Sequence, residues 1–168
     1  LKYDVFETRY KGDIPDLSSD IFIWSGGPES PFEDEDKQWD KDYFTLLDKI
    51  WNHNQNSGQK KYIFFICHSF QMLARYFQFG EVNKRFINSF GVMPFAKTEE
   101  GKNDPILKDL TDPFYAADIR HWQVINPNQK KIDEFGAKIL SWEIPEEENK
   151  NNPAITSIRI SNEIAGTQ

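Results

Sequence analysis

One cysteine stands in a chain of 168 residues, and only three histidines accompany it. A single thiol excludes an internal disulfide, so a reducing compartment, the cytoplasm, is the expected location. His53, His68 and His121 are scattered and lack the spacing of a metal site, so no metal is expected. No apolar run approaches the ~18 residues that span a bilayer, and no secretory leader is visible. An excess of positive charge is also missing. The formal net charge is −7, which argues against nucleic acid or an anionic membrane as partner. There is neither a phosphate-binding G-x-x-x-x-G-K-[ST] loop nor a G-x-G-x-x-G fingerprint, so no nucleotide or other cofactor is expected. No internal repeat is present.

What is there is aromatic. Fourteen Phe and five Trp lie within an apolar share of 38%, which predicts a packed core rather than disorder. The length suits one domain over residues 1–168. Residues 3–8 alternate weakly and read as a strand, broken by Gly12, Asp13 and Pro15. Residues 20–24 form a second strand that runs into Ser25-Gly26-Gly27-Pro28, a tight loop with free backbone N–H groups. The acidic stretch 29–42 reads as a solvated loop and the first turn of a helix. Tyr43, Leu46, Leu47, Ile50 and Trp51 have helical spacing, which predicts a helix over 40–52.

Residues 62–66 are a continuous apolar run, the pattern of a central parallel strand buried on both faces. A helix over 69–79 follows, with Phe70, Leu73, Ala74 and Phe77 on one side and Gly80 as its stop. Residues 81–98 read as short extended pieces around Gly91 and Pro94. Residues 98–112 read as a loop with a helical turn at 106–110, and 114–125 as mixed structure. Strands are expected over 135–142, 154–160 and 163–168, with a charged excursion over 145–153. Strands that alternate with helices and a strand-rich end predict an α/β protein whose sheet has a mixed or antiparallel extension.

Cys67 lies where the buried strand turns into a helix. Such a turn lifts a side chain out of the sheet, which is the logic of the nucleophile elbow. The helix N-terminus brings partial positive charge and unpaired N–H donors. Both should lower the thiol pKa, and the donors can hold the oxyanion of a tetrahedral intermediate. The position therefore suits a nucleophile for acyl transfer, although a lone Cys at a strand end also serves as a small core residue. In a parallel sheet the Gly26-Gly27 loop would open on the same edge as Cys67. Gln71, one helical turn on, can reach a polar ligand there. Asp118 and Arg120 read as a structural ion pair.

The loop SGGPESP, the elbow ICHSFQ, the segment GEVNKRFINSFGVMPF and the ending GTQ resemble the class I (triad-type) glutamine amidotransferases. The nearest resemblance is to stand-alone proteins like the amidotransferase domain of GMP synthetase. The likeness runs from about residue 4 to the end. It implies a flavodoxin-like, mostly parallel central sheet flanked by helices. It implies Cys67 as the nucleophile toward the side-chain amide of glutamine, with the N–H groups of Gly27 and His68 as the oxyanion hole. Gly26, Gln71 and His121 would contact substrate. By the motif G-x-Q-F-H-P-E the histidine base and its glutamate would fall just past Gln168. The family's first strand and helix would precede Leu1, so the chain reads as a segment of a longer polypeptide. Phe65 and Ser69 stand where the family elbow carries glycines, a departure that would either reshape the glutamine pocket or remove activity. The implied substrate is glutamine or another γ-glutamyl amide, with a synthetase or other ammonia acceptor as a possible partner. The alternatives are a γ-glutamyl peptide hydrolase of the same fold and a non-catalytic binding protein.

Overall fold

The structure, a computed structural model, describes residues 2–28, 30–144 and 152–168. In chain order the elements are α1 (Thr8–Lys11), β1 (Ile21–Trp24), α2 (Gln38–Asn56), β2 (Tyr62–Ile66), α3 (His68–Phe77) and β3 (Glu81–Lys97). They continue with α4 (Glu99–Asn103), β4 (Phe114–Ile125), α5 (Gln129–Phe135), β5 (Lys138–Glu143), β6 (Ile155–Arg159) and β7 (Ile164–Thr167).

The seven strands form one sheet in the order β1-β2-β7-β6-β5-β3-β4. Only β1–β2 and β2–β7 pair in parallel, while β7–β6, β6–β5, β5–β3 and β3–β4 are antiparallel. The sheet is therefore mixed, and the expectation of a mostly parallel sheet is corrected. The antiparallel extension is larger than the parallel part, with four antiparallel pairings against two parallel ones.

Pairing fixes which residues share a face. Phe22 is opposite Ile63 and Trp24 opposite Phe65, while Ile63 and Phe65 continue to Ile164 and Gly166. This face packs against Leu46, Leu47 and Ile50 of α2 and Phe70, Leu73 and Phe77 of α3, and it is the main core. Burying each such side chain contributes about 1.5–3 kcal/mol relative to exposure. The other face is less covered. Ile21 and Ile23 are 68% and 67% exposed, and Tyr62 beside them is also exposed. β2 is thus fully buried on one face only, not on both as predicted.

Several local expectations change. Residues 2–7 carry no regular structure, and α1 begins at Thr8. The weak alternation of 3–8 does not make a strand because no neighbour pairs with it, and Tyr3 and Val5 stay exposed. The helix after Cys67 ends at Gln78 in the left-handed region, not at Gly80. Gly80 is needed for packing instead: a Cβ there would lie 2.8 Å from the Val124 side chain and 2.9 Å from the Ile125 carbonyl. The broken pieces of 81–98 are one long strand with a register shift between Lys84 and Ser89, and 114–125 is its antiparallel partner. The turn at 106–110 is present as hydrogen-bonded turns, with the Lys108 N–H donating to the Asp104 carbonyl at 2.8 Å. The strand of 135–142 starts later, because Phe135 ends α5. Of the charged excursion, residues 145–151 lie outside the described residues.

The acidic stretch is more than a solvated loop. Asp34 and Asp40 are buried. Asp34 accepts from Arg9 Nη2 at 2.8 Å and from Trp39 Nε1 at 3.0 Å. Asp40 pairs with Arg75 Nη1 at 2.8 Å. Among the described residues no helix is long and apolar enough to cross a membrane.

Candidate active site

The site is the C-terminal edge of β1, β2 and β7. β2 ends at Ile66, opposite Thr167. Cys67 follows with φ 55° and ψ −111° and serves as the N-cap of α3. A non-glycine residue at this φ costs on the order of 1–3 kcal/mol, which the surrounding structure must hold. Two backbone bonds hold it. The Cys67 N–H donates to the Thr167 carbonyl at 2.8 Å, and the Gln71 N–H donates to the Cys67 carbonyl at 3.1 Å. The result is the predicted elbow, with its side chain raised off the sheet.

The glycine loop after β1 closes on this elbow. A Cβ placed on Gly26 would lie 2.9 Å from Cys67 Cβ and 3.5 Å from Sγ. Only glycine permits the backbone to approach so closely. A Cβ on Gly27 would lie 3.9 Å from the His68 ring. Gly26, Gly27, Cys67 and His68 are thus brought together as the sequence predicted. The hydroxyl of Ser69 donates to the Ser25 carbonyl at 2.6 Å, a bond that residue spacing did not foreshadow. Its one signal was a serine at a position where glycine was anticipated.

Gln71 is buried. Its Nε2 donates to Gln168 Oε1 at 3.2 Å and to the Trp122 carbonyl at 3.4 Å. The three segments that carry the site, from α3, β4 and β7, meet at this amide. β4 also passes the thiol itself, since Cys67 Sγ donates to the Ile119 carbonyl at 3.9 Å. His121, on the same strand, is exposed. It lies between Ile119 and Trp122, whose carbonyls accept from Cys67 and Gln71, and among the described residues no hydrogen bond joins it to either side chain.

Behind the thiol, Asp118 and Arg120 form the expected ion pair at 2.9 Å, with side chains 3% and 1% exposed. The pair belongs to a larger network. Ser89 Oγ donates to Asp118 at 2.5 Å, and Arg120 Nη2 and Arg85 Nη2 both reach Glu143 Oε1, at 3.2 and 2.8 Å. Burial pushes the Glu143 carboxyl up, but the two guanidinium groups outweigh it and leave the carboxyl below its ordinary value.

The thiol itself behaves differently from the expectation. Burial pushes the Cys67 pKa up. The His68 N–H and Arg120 pull it down, the Asp118 charge pushes it up, and the net shift is upward. Desolvation outweighs the helix terminus, so the expectation of a lowered thiol pKa is corrected. A cavity of about 460 Å³ adjoins the site and is bounded by Trp24, Gly26, Gly27, Tyr43 and His68. Among the described residues no group of three or more His, Cys, Asp or Glu is placed to hold a metal.

Solved structures place this architecture. A glutamine amidotransferase from Thermotoga maritima superposes with a TM-score of 0.73 at 16% identity, over 98% of this chain and 62% of its own. A candidate GMP synthase component from Thermoplasma acidophilum gives 0.65 at 17% identity, over 90% and 63%. The fold is that of the class I glutamine amidotransferases. A third protein, SMU.1228c, gives 0.62 at 18% identity, over 93% and 60%. The chain therefore spans about three fifths of the length of each of these neighbours. No sequence-family profile matches it, and no curated protein does.

Proposed function

We propose that Cys67 is the nucleophile of a glutamine amidotransferase-type reaction that releases ammonia from glutamine or a related γ-glutamyl amide. The observation that carries this reading is the elbow at Cys67, strained to φ 55° and pressed against Gly26. In this reaction Sγ forms a bond to the amide carbon. The carbonyl oxygen becomes an oxyanion, which the N–H groups of Gly27 and His68 would receive. The C–N bond then breaks and the nitrogen leaves as ammonia with the proton taken from the thiol. Water next attacks the thioester and frees glutamate and the thiol.

The upward-shifted thiol needs a base to take its proton. β7 runs parallel to β2 and brings Gln168 beside Gln71, so the edge where such a base would act is the one that carries Cys67. The released ammonia would pass to a separate acceptor protein. The buried Phe65, which stands where the resemblance places a glycine, favours one second reading, a protein of this fold that binds a γ-glutamyl ligand without turning it over.

A labelling comparison tests the proposal. A glutamine-like chloroketone should modify Cys67 much faster than iodoacetamide does, relative to the same pair of reagents on a free thiol. Equal relative rates would remove the pocket and the reading with it. In the whole protein, Cys67→Ala is expected to abolish glutamine hydrolysis while leaving the circular dichroism unchanged. Fast labelling with no hydrolysis would select the binding reading.

A further inference from the structure

We infer that Ser69 is a positioning residue that sets the glycine loop against Cys67. This rests on the proposed reaction at Cys67. The loop after β1 carries one of the two donors that would receive the oxyanion, and a displacement of about 1 Å in such a donor costs on the order of a hundredfold in rate. Something must therefore fix the loop relative to the elbow. Van der Waals contact between Gly26 and Cys67 limits how near the loop can come but does not stop it from lifting away.

The Ser69 hydroxyl supplies that restraint. It donates to the carbonyl of Ser25, the residue immediately before Gly26, at 2.6 Å. The donor Ser69 is buried while Ser25 is exposed, so the bond sits at the edge of the cavity. Its own backbone is held in turn, because Tyr43 Oη on α2 donates to the Ser69 carbonyl at 3.4 Å. A second tie lies further along α3. Arg75 Nη1 donates to the Pro31 carbonyl at 2.6 Å and pairs with Asp40 at 2.8 Å, and its guanidinium sits 5.4 Å from the Phe32 ring centroid. One helix thus presents the nucleophile at its N-cap and grips both ends of the loop that faces it. A glycine at position 69 would leave the near end ungripped.

The test compares two reagents on the wild-type chain, Ser69→Ala and Ser69→Thr, each checked for native circular dichroism. The glutamine-like chloroketone alkylates Sγ with loss of chloride and the thiol proton, and its carbonyl passes through an adduct held by the oxyanion donors. Iodoacetamide alkylates the same sulfur with loss of iodide and the proton, and it develops no such oxyanion. Ser69→Ala should slow the chloroketone by about tenfold to a hundredfold and leave the iodoacetamide rate within about twofold. Ser69→Thr, which keeps the hydroxyl, should restore much of the chloroketone rate. Should the alanine variant fail to fold, Ser69→Gly replaces it, with the same expected ratio. An unchanged ratio in a folded Ser69→Ala or Ser69→Gly protein overturns the role of Ser69 alone. A wild-type protein that shows no preference for the chloroketone overturns the reaction at Cys67, and this role with it.

Discussion

Phe65 sits one residue before the end of β2 with its side chain fully buried, its ring centroid 4.9 Å from that of Trp24. The space it needs is left open by Gly166 on the neighbouring strand. A Cβ there would meet Phe65 Cβ at 2.9 Å and the Phe70 ring at 3.0 Å. Phe65→Ala should then cost about 3–5 kcal/mol in a urea titration, and Gly166→Ala should also destabilise, because neither contact is with a flexible tip. Cys67 carries a second prediction. With its pKa raised, the native thiol is less ionised near pH 8 than a free thiol. Iodoacetamide should therefore react more slowly with folded protein than with protein unfolded in urea, and the native rate should keep rising above the pH at which the unfolded rate levels off. A native rate that levels off first would contradict the upward shift.

Among the elements, α1 is held by a charge cluster whose response to pH has a definite sign. The Lys37 ammonium draws the Asp34 pKa down first. Burial opposes it, Arg9 and Trp39 reinforce it, and the carboxyl is lowered to about 2. A depressed carboxylate stabilises the fold above its unfolded value, near 3.8, and that stability is lost as pH falls through about 2. The anchoring of α1 should therefore weaken between these values. Trp39, whose indole N–H donates to Asp34 at 3.0 Å, should report it by fluorescence, and Asp34→Asn should flatten the profile. In α4 the contact is steric. A Cβ on Gly101 would fall 1.9 Å from the Leu140 carbonyl oxygen, so Gly101→Ala must lift α4 off β5 and lower the urea midpoint. Thr98→Ala, which removes the cap bond to the Gly101 N–H at 2.9 Å, should cost about 1 kcal/mol.

The same elements explain what could be read beforehand. β1 and β2 were legible as unbroken apolar runs and α2 and α3 by their helical spacing, each bounded by Gly or polar breaks. The β3–β4 pair was not. Gly91 and Pro94 look like breaks, and the outward residues Phe86, Phe90 and Val92 are apolar although exposed, so the alternation that marks a strand is hidden. α4 and α5 were missed for their shortness, although Thr98 before one and Asn128 and Gly136 around the other were capping signals. At the site, Cys67, the glycine loop and Gln71 were legible from residue type and spacing. The Ser69 bond and the raised thiol pKa were not, since both depend on how deeply the elbow is buried.

On the scale of the whole molecule, strand order separates the sheet from its sequence. β1 and β2 come early and β3 to β6 come later, yet among the described residues the two groups are joined in the sheet through β7, which pairs with β2 on one side and β6 on the other. The bond from the Cys67 N–H to Thr167 and the one from Gln71 to Gln168 close across the same seam. A chain that stops at Asn162 should therefore fail to assemble the sheet and should aggregate, which size-exclusion chromatography would show.

That seam has a consequence during synthesis. A ribosome delivers residue 66 roughly a hundred residues before residue 164, which at translation rates of about 5–20 residues per second is a delay of many seconds. Throughout that interval the inner edge of β2 has no strand to pair with, and the apolar stretch at 62–66 offers an open template to any neighbouring nascent chain. The strand that leads into Cys67 waits longest for its partner, so crowded polysomes are where this protein is most exposed to misassembly.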